Sequence, residues 1–223
     1  MTYASEVADT SPTGTGAPFP GTPTKRLPAD QRRQQLLDVA LRLFAARGFS
    51  ATTMDDIADG AGVTKPLLYQ HFASKRALYL ELVDSVAQTM LGAIGKAVAG
   101  AEGPRQQVEG GFAAYFDLVV TQADAFRLLF GSEAPDDPGL SAAVRRVEDT
   151  VAQAVDVLID AGLDHDHRLM LAHAVVGMAE GASRHLLATL DSAAGPPPPG
   201  EGVRQARRLA ELAWAGLRSV HPD

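Results

Sequence analysis

The chain has 223 residues, 46% of them apolar and 21% charged, a balance that suits one large globular domain or a small head on a larger body and excludes a chain disordered throughout. Cysteine is absent, which excludes disulfides, thiolate catalysis and cysteine-ligated zinc. The net charge of −7 argues against nucleic acid if it is spread evenly, but residues 25–76 carry nine Lys/Arg against five Asp/Glu, whereas residues 77–223 carry eleven against twenty.

No run of about 18 apolar residues predicts a membrane span, and no apolar leader follows Met1, so a cytoplasmic location is expected. Residues 1–24 are rich in Thr, Ser, Gly, Pro and Ala and are expected to form a disordered arm. Lys25 and Arg26 follow as a solvated basic pair rather than a minor-groove arm, with a nonspecific phosphate contribution at most. Leu36, Leu37, Ala40, Leu43 and Phe44 then form the apolar stripe of a helix, with Asp30 as a candidate cap at its start and Gly48 at its end. Thr53 and Asp56 have the spacing of a capping box, and Thr64 and Ser74 are further candidate N-caps. Amphipathic stretches follow at about 74–98, 105–121, 123–131, 139–162, 166–190 and 202–219. They are broken at Gly103-Pro104, at 134–139 and at the proline-rich 195–200. The expected fold class is all-α, with about nine helices. The expected units are a 1–24 arm, a 25–76 helix-turn-helix and a 77–223 body for ligand binding and dimerisation.

Residues 54–73 read MDDIADGAGVTKPLLYQHFA. Ile57 and Leu68 are apolar, Ala58 is small, and Gly62 precedes Val63 at the connection, which is the steric recipe for two short helices crossing over a tight turn. Ile57, Val63 and Leu68 are expected to face Leu36, Ala40 and Phe44. The second helix then exposes Thr64, Lys65, Pro66, Tyr69, Gln70 and His71, side chains suited to a major groove.

With these residues in place, positions 31–79 resemble the DNA-binding head of the TetR family of transcriptional regulators. Gly48-Phe49, Thr52-Thr53, Ile57-Ala58, Ala61-Gly62-Val63, Leu68-Tyr69, His71-Phe72, Lys75 and Leu78 carry the resemblance. It implies a phosphate contact for Thr53, backbone contacts for Tyr69 and His71, a phosphate contact for Lys75, and base-facing positions for Lys65, Pro66 and Gln70. Met54 stands where some relatives place a base-reading arginine, so the first helix of the motif is expected to contribute little base readout.

The body is read from weaker signals. Met170, Ala174, Gly177, Gly181, His185 and Ala188 share one helix face, nearly flat at its glycines. Two glycines in a helix each cost about 1 kcal/mol against Ala and call for a packing reason. The resemblance implies that this face is a dimer interface; close packing within one chain is the alternative. On another face, His173 and Glu180 interrupt an apolar stripe. They pair with each other or with Arg184, or they are the polar fixtures of a ligand pocket. Phe112, Tyr115, Phe116, Phe126 and Phe130, beside Gly110-Gly111 and with Met90 and Ile94, are candidate pocket walls. Asp164-His165-Asp166-His167 is read as a helix start rather than a metal site.

No Gly-rich phosphate loop, metal-binding His helix or nucleophile elbow is present, so no enzyme, cofactor or metal is expected. The sequence reading is a homodimeric regulator that binds a pseudo-palindromic double-stranded operator. A repressor, relieved by a small and mostly apolar effector, is the expected form. The alternatives are a helical-bundle small-molecule binding protein without operator binding and a ligand-independent DNA-binding regulator.

Overall fold

The computed structural model describes residues 27–131, 137–159, 162–192 and 200–221. The expected arm at 1–24, Lys25 and Arg26, residues 134–136 and most of the proline-rich segment lie outside these. Among the described residues there are nine helices and no strand: α1 (Ala29–Ala51), α2 (Met54–Gly60), α3 (Lys65–His71), α4 (Lys75–Ala99), α5 (Pro104–Thr121), α6 (Ala123–Phe130), α7 (Pro138–Asp156), α8 (His165–Ser192) and α9 (Glu201–Leu217). α4 is apolar and long enough, by length and composition, to cross a membrane. Here it packs Leu78, Tyr79, Leu82, Val83, Val86 and Met90 into the protein core.

Helices α1–α3 form the head around the predicted apolar contacts. Leu36, Ala40, Ile57 and Leu68 are completely buried, and Phe44 and Ala58 nearly so. Two glycines permit the tight chain reversals. Gly48 has φ 75° and interrupts the helical geometry near the end of α1. Gly62 has φ 64° and donates its N–H to the Asp59 carbonyl, closing the α2–α3 turn. Thr53 and Asp56 form the expected capping box, in which Asp56 N–H donates to Thr53 Oγ1 at 3.1 Å and Thr53 N–H donates to Asp56 Oδ2 at 2.8 Å. Ser74 caps α4 by accepting from Ala77 N–H at 3.1 Å. Asp30 does not cap α1: Pro28 occupies that position, and Asp30 is the second helical residue, in the first turn, where a carboxylate is favoured by the positive end of the helix dipole. Thr64 stands at the N-cap of α3 but makes no capping hydrogen bond with its side chain.

The head is locked to α4 by a small set of part-buried polar bonds. The Lys75 ammonium donates to the Phe49 carbonyl at 2.7 Å and the Thr52 carbonyl at 2.8 Å, and lies 4.2 Å from the centre of the Phe49 ring. Thr52 is fully buried, and its hydroxyl donates to the Gly48 carbonyl at 2.8 Å. Carbonyls freed where Gly48 breaks the helix therefore find donors within the corner. Phe44 and Phe49, stacked on each other, both pack edge to face against Tyr79 behind it. Arg33 of α1 makes a bidentate pair with Glu81 of α4 while its guanidinium covers Phe72 at 4.5 Å.

In the body, α5 lies against α4 and α9. Gly110 brings α5 close to α4, since a Cβ there would stand 3.4 Å from the Ala97 carbonyl. Gly202 does the same for α9, whose backbone approaches the Phe116 carbonyl. The Tyr79 hydroxyl donates to the Leu128 carbonyl at 3.1 Å, tying α4 to α6, and burial pushes its ionisation up to about 12. α7 is shorter than the 139–162 stretch suggested. Buried Asp156 ends it by accepting from Arg168 at 3.2 Å, with the His165 imidazole at 3.4 Å, while Asp164 accepts from His167 N–H at 2.9 Å. Those bonds account for the Asp164–His167 cluster as the joint between α7 and α8.

Replacing Lys75 by Met keeps most of the stem that covers Phe49 but leaves the Phe49 and Thr52 carbonyls without their donor. The expected loss is about 1–3 kcal/mol in a urea titration of stability, whereas Lys65→Met, at an exposed position, should leave the unfolding midpoint unchanged.

Candidate nucleic-acid interface and effector cavity

The α2–α3 corner presents one polar face. Thr53, Thr64, Lys65, Pro66, Tyr69 and Gln70 are exposed and His71 is half-buried, so the structure brings seven of the eight predicted DNA-facing residues onto the open side of the corner. Tyr69 is 44% exposed, a large apolar ring left in solvent. The eighth, Lys75, is corrected: its ammonium is turned inward onto two carbonyls, which a basic residue read from sequence alone does not disclose. Thr53 is exposed, yet its hydroxyl already donates to Asp56 Oδ2 at 2.5 Å, so a phosphate would meet an acceptor there or have to displace Asp56. That bond is also the main cause holding the Asp56 carboxyl below its usual range. Met54 is buried in the head core, which removes it from any base contact. Lys65 reaches across to Asp55 of α2, with 2.8 Å between Nζ and Oδ1.

A second feature lies in the body. A cavity of about 360 Å³ opens among α4, α5, α7 and α8, with α9 at one end. Of the predicted walls, Met90, Ile94, Phe112, Tyr115, Phe130 and Glu180 line it, and Gly111 leaves room beside them. Phe116 and Phe126 do not: they are 0% and 1% exposed and fill the core on the far side of Tyr115, stacked edge to face with it. His173 is also corrected. It is exposed on the outer side of α8, and Glu180 instead pairs with Arg184 one turn along, at 2.6 Å.

The walls that the sequence reading missed include Val147, Val151 and Val155 of α7, which recur every four residues, Val175 and Val176 of α8, and Trp214 of α9. That spacing was visible as an apolar stripe, but a stripe does not say whether it meets a neighbour or a void. The polar fixtures are few. Tyr115 donates to Ser183 Oγ at 3.1 Å, and Ser183 donates to the Glu180 carbonyl at 2.9 Å, so the deep phenol is satisfied within the protein. Burial pushes the Tyr115 phenol up. Burial, and then the neighbouring Glu180 and Asp149 carboxylates, also raise the Glu148 carboxyl, against the opposing pull of Arg184 and Arg145.

Met170, Ala174, Gly177, Gly181 and His185 lie together on the open side of α8, Met170 with 55% of its surface exposed. A Cβ added at Gly177 or Gly181 would meet nothing within 4 Å, so packing inside the chain does not call for either glycine. On α9, Val203 and Leu212 are likewise exposed, at 73% and 61%.

A carboxyl raised by burial binds its proton more tightly in the folded than in the unfolded chain. Charging Glu148 therefore costs stability above its folded pKa, and the cost fades as pH falls toward the ordinary value of 4.5. Glu148→Gln should be more stable than the parent at pH 7.5, with the two urea midpoints converging below pH 4.5.

Residues 36–82 match the family model for bacterial regulatory proteins of the tetR family. The HTH-type transcriptional activator FasR of Mycolicibacterium smegmatis is 34% identical over 202 residues, 87% of each chain. The HTH-type transcriptional repressor KstR2 of Mycobacterium tuberculosis is 38% identical over 90 residues, 40% of this chain and 45% of its own. A TetR-like transcriptional regulator from Rhodococcus sp. RHA1 superposes with a TM-score of 0.72 at 25% identity, over 87% of this chain and 100% of that one. FadR from Bacillus subtilis, solved with stearoyl-CoA, shares the fold with a TM-score of 0.69 at 13% identity, over 82% of this chain and 98% of its own. A head built on this turn, an all-helical body behind it and a relative alike along most of the length have one common meaning: the chain belongs to the TetR family of DNA-binding transcriptional regulators.

Proposed function

We propose that this regulator acts as a two-fold homodimer whose operator binding is relieved by a small, mostly apolar effector held in the body cavity. The observation that carries the reading is the continuity of α4, which begins at Lys75 beside the α2–α3 corner and contributes Met90, Ile94 and Val98 to the cavity wall. A helix of 25 residues spans about 37 Å at 1.5 Å per residue, and its hydrogen-bonded backbone transmits a tilt rather than absorbing it. An effector that fits the cavity better at one tilt than another shifts the head by that difference in affinity.

Support for an apolar effector comes from the walls, in which valines, aromatics and Met90 outnumber the polar fixtures. The stearoyl chain of the stearoyl-CoA bound to the FadR neighbour is apolar, as is the steroid skeleton of the ketosteroids for which the regulator KstR2 is named, which agrees with an apolar cavity; the CoA part of the former is polar and highly charged. The dimer reading rests on the open α8 face, where Gly177 and Gly181 leave space for a second helix, and on the exposed Val203 and Leu212 of α9. In such a dimer, two α3 helices would meet successive major grooves of a pseudo-palindrome. Operator release is the expected response to effector. Whether the bound protein blocks or assists transcription depends on where the operator lies relative to the promoter. The relatives include a named activator and a named repressor.

Gly177→Leu should convert the dimer to monomer in sedimentation equilibrium and weaken binding to a duplex selected by this protein from a randomised pool. A dimer of unchanged affinity would place the interface elsewhere.

Gly111→Leu tests the cavity. A Cβ there stands 4.0 Å from Ile94 and Val98, an ordinary contact, so the longer side chain grows into the void. The variant should bind the selected duplex as the parent does. Its titration with the neutral apolar fluorophore N-phenyl-1-naphthylamine should show at least about tenfold weaker binding, the equivalent of about 1.4 kcal/mol. Unaltered dye binding would dismiss the cavity as the effector site.

A further inference from the structure

The cations around α3 are, one after another, occupied within the protein. Lys65 Nζ lies 2.8 Å from Asp55 Oδ1 and 3.1 Å from Oδ2, Arg47 lies 3.6 Å from Asp56, and Arg76 lies 3.3 Å from Asp137. Lys75 is spent on two carbonyls. Only the first of these pairs involves a side chain on the open face of the recognition helix, at its first position, and it joins α3 back to the first turn of α2.

We infer that Asp55 is a specificity-determining residue of the DNA interface: it holds the Lys65 ammonium back from phosphate and thereby suppresses binding to duplex of the wrong sequence. The inference rests on the reading of α3 as the helix that enters the groove.

Its physical basis is an exchange of partners. Lysine–phosphate contacts are independent of sequence and supply essentially all non-specific affinity through counterion release. Lys65 can make such a contact either by trading carboxylate for phosphate, which leaves the Asp55 charge unpaired beside a polyanion, or by bridging the two, which sets the carboxylate against the phosphate anion. A neutral base edge brings no such repulsion and imposes a smaller loss. The ammonium carries three donors, so it can keep Asp55 on one and offer another to an acceptor in the major groove, such as guanine O6 or N7. Asp55 therefore penalises phosphate contact more than base contact, and the penalty is largest where no suitable base is present. The pair is exposed on both sides, 54% for Lys65 and 62% for Asp55, so removing it does not threaten the fold. The acidic chain, at −7, adds a general repulsion that any such device must be separated from.

The test uses the full-length protein and two probes: a duplex selected from a randomised pool, and a scrambled duplex of the same length. Each is titrated by fluorescence anisotropy across a salt series. Asp55→Asn should bind the scrambled duplex about two- to fivefold more tightly at about 0.1 M salt. Its plot of log affinity against log salt should steepen by about 0.9, the signature of one added phosphate contact. The selected-to-scrambled affinity ratio should fall. Asp59→Asn removes the same charge from an exposed residue of the same helix and should do less. In a Lys65→Gln background, Asp55→Asn should give no gain.

An Asp55→Asn protein with parental affinity and slope would overturn the inference. So would Asp59→Asn matching it, or a gain that persists without Lys65, since either reports net charge alone. Lys65→Gln separates the two levels of the argument. If it binds the selected duplex with parental affinity and base preference, the assignment of α3 itself fails and takes this inference with it. If it loses affinity while Asp55→Asn changes nothing, only the inference fails.

Discussion

Two carbonyls at the broken end of α1, gripped by the Lys75 ammonium, fix where α4 starts, and the position of α4 decides most of what lies on either side of it. Gly48 must leave helical geometry for the chain to turn into α2, and in doing so it frees acceptors that the interior cannot leave bare. Thr52 answers one of them and Lys75 answers two more. Because Lys75 is the first residue of α4, satisfying the corner also sets the direction of a 25-residue helix. The Arg33–Glu81 pair and the Tyr79–Leu128 bond then hold that direction against α1 and α6. The head is therefore not a bead on a string. Its third wall is the opening of a helix whose later turns belong to the cavity.

The same geometry shapes the electrostatics of the family's DNA-binding role in this chain. A protein of net charge −7 approaches a polyanion with a small basic head, and the cations of that head are largely partnered at home. Affinity in that situation has to come from many modest contacts placed correctly and at once, the condition under which sequence can matter more than charge. In the body, Tyr115, Ser183 and the Glu180 carbonyl form a closed chain of donors and acceptors, so the deep end of the cavity offers little unsatisfied polarity. Glu148 differs: it lines the void beside a like-charged neighbour.

Local chemistry was legible in the sequence because its causes are local. The capping box needs only Thr53 and Asp56 three residues apart, and it formed as read. Gly62 adopts the positive φ that a short reversal demands, and Ile57 and Leu68 are fully buried in one core with Leu36 and Ala40 of α1. The helical character of the body followed equally from apolar spacing, although α7 ended early, at a carboxylate that meets its partners from the far side of a loop.

The sequence by itself thus determined the helix-turn-helix, the all-helical body and the family, since caps, turns and periodic stripes are written within a few residues of one another. Only the tertiary structure decided which way side chains on those helices turned. Phe116 and Phe126 became core while Val151 came to line a void, His173 faced outward although Glu180 reached the cavity, and Lys75 folded its charge inward. Each outcome depends on how a helix is rotated about its own axis against neighbours distant in the chain. On α8, alanines occur on both the packed side, at Ala172 and Ala179, and the open side, at Ala174 and Ala188, so small side chains give no strong preference for one rotation over another. The packing of α5, α6 and α7 settled that rotation, and no stretch of sequence short enough to be read by its period contains that information.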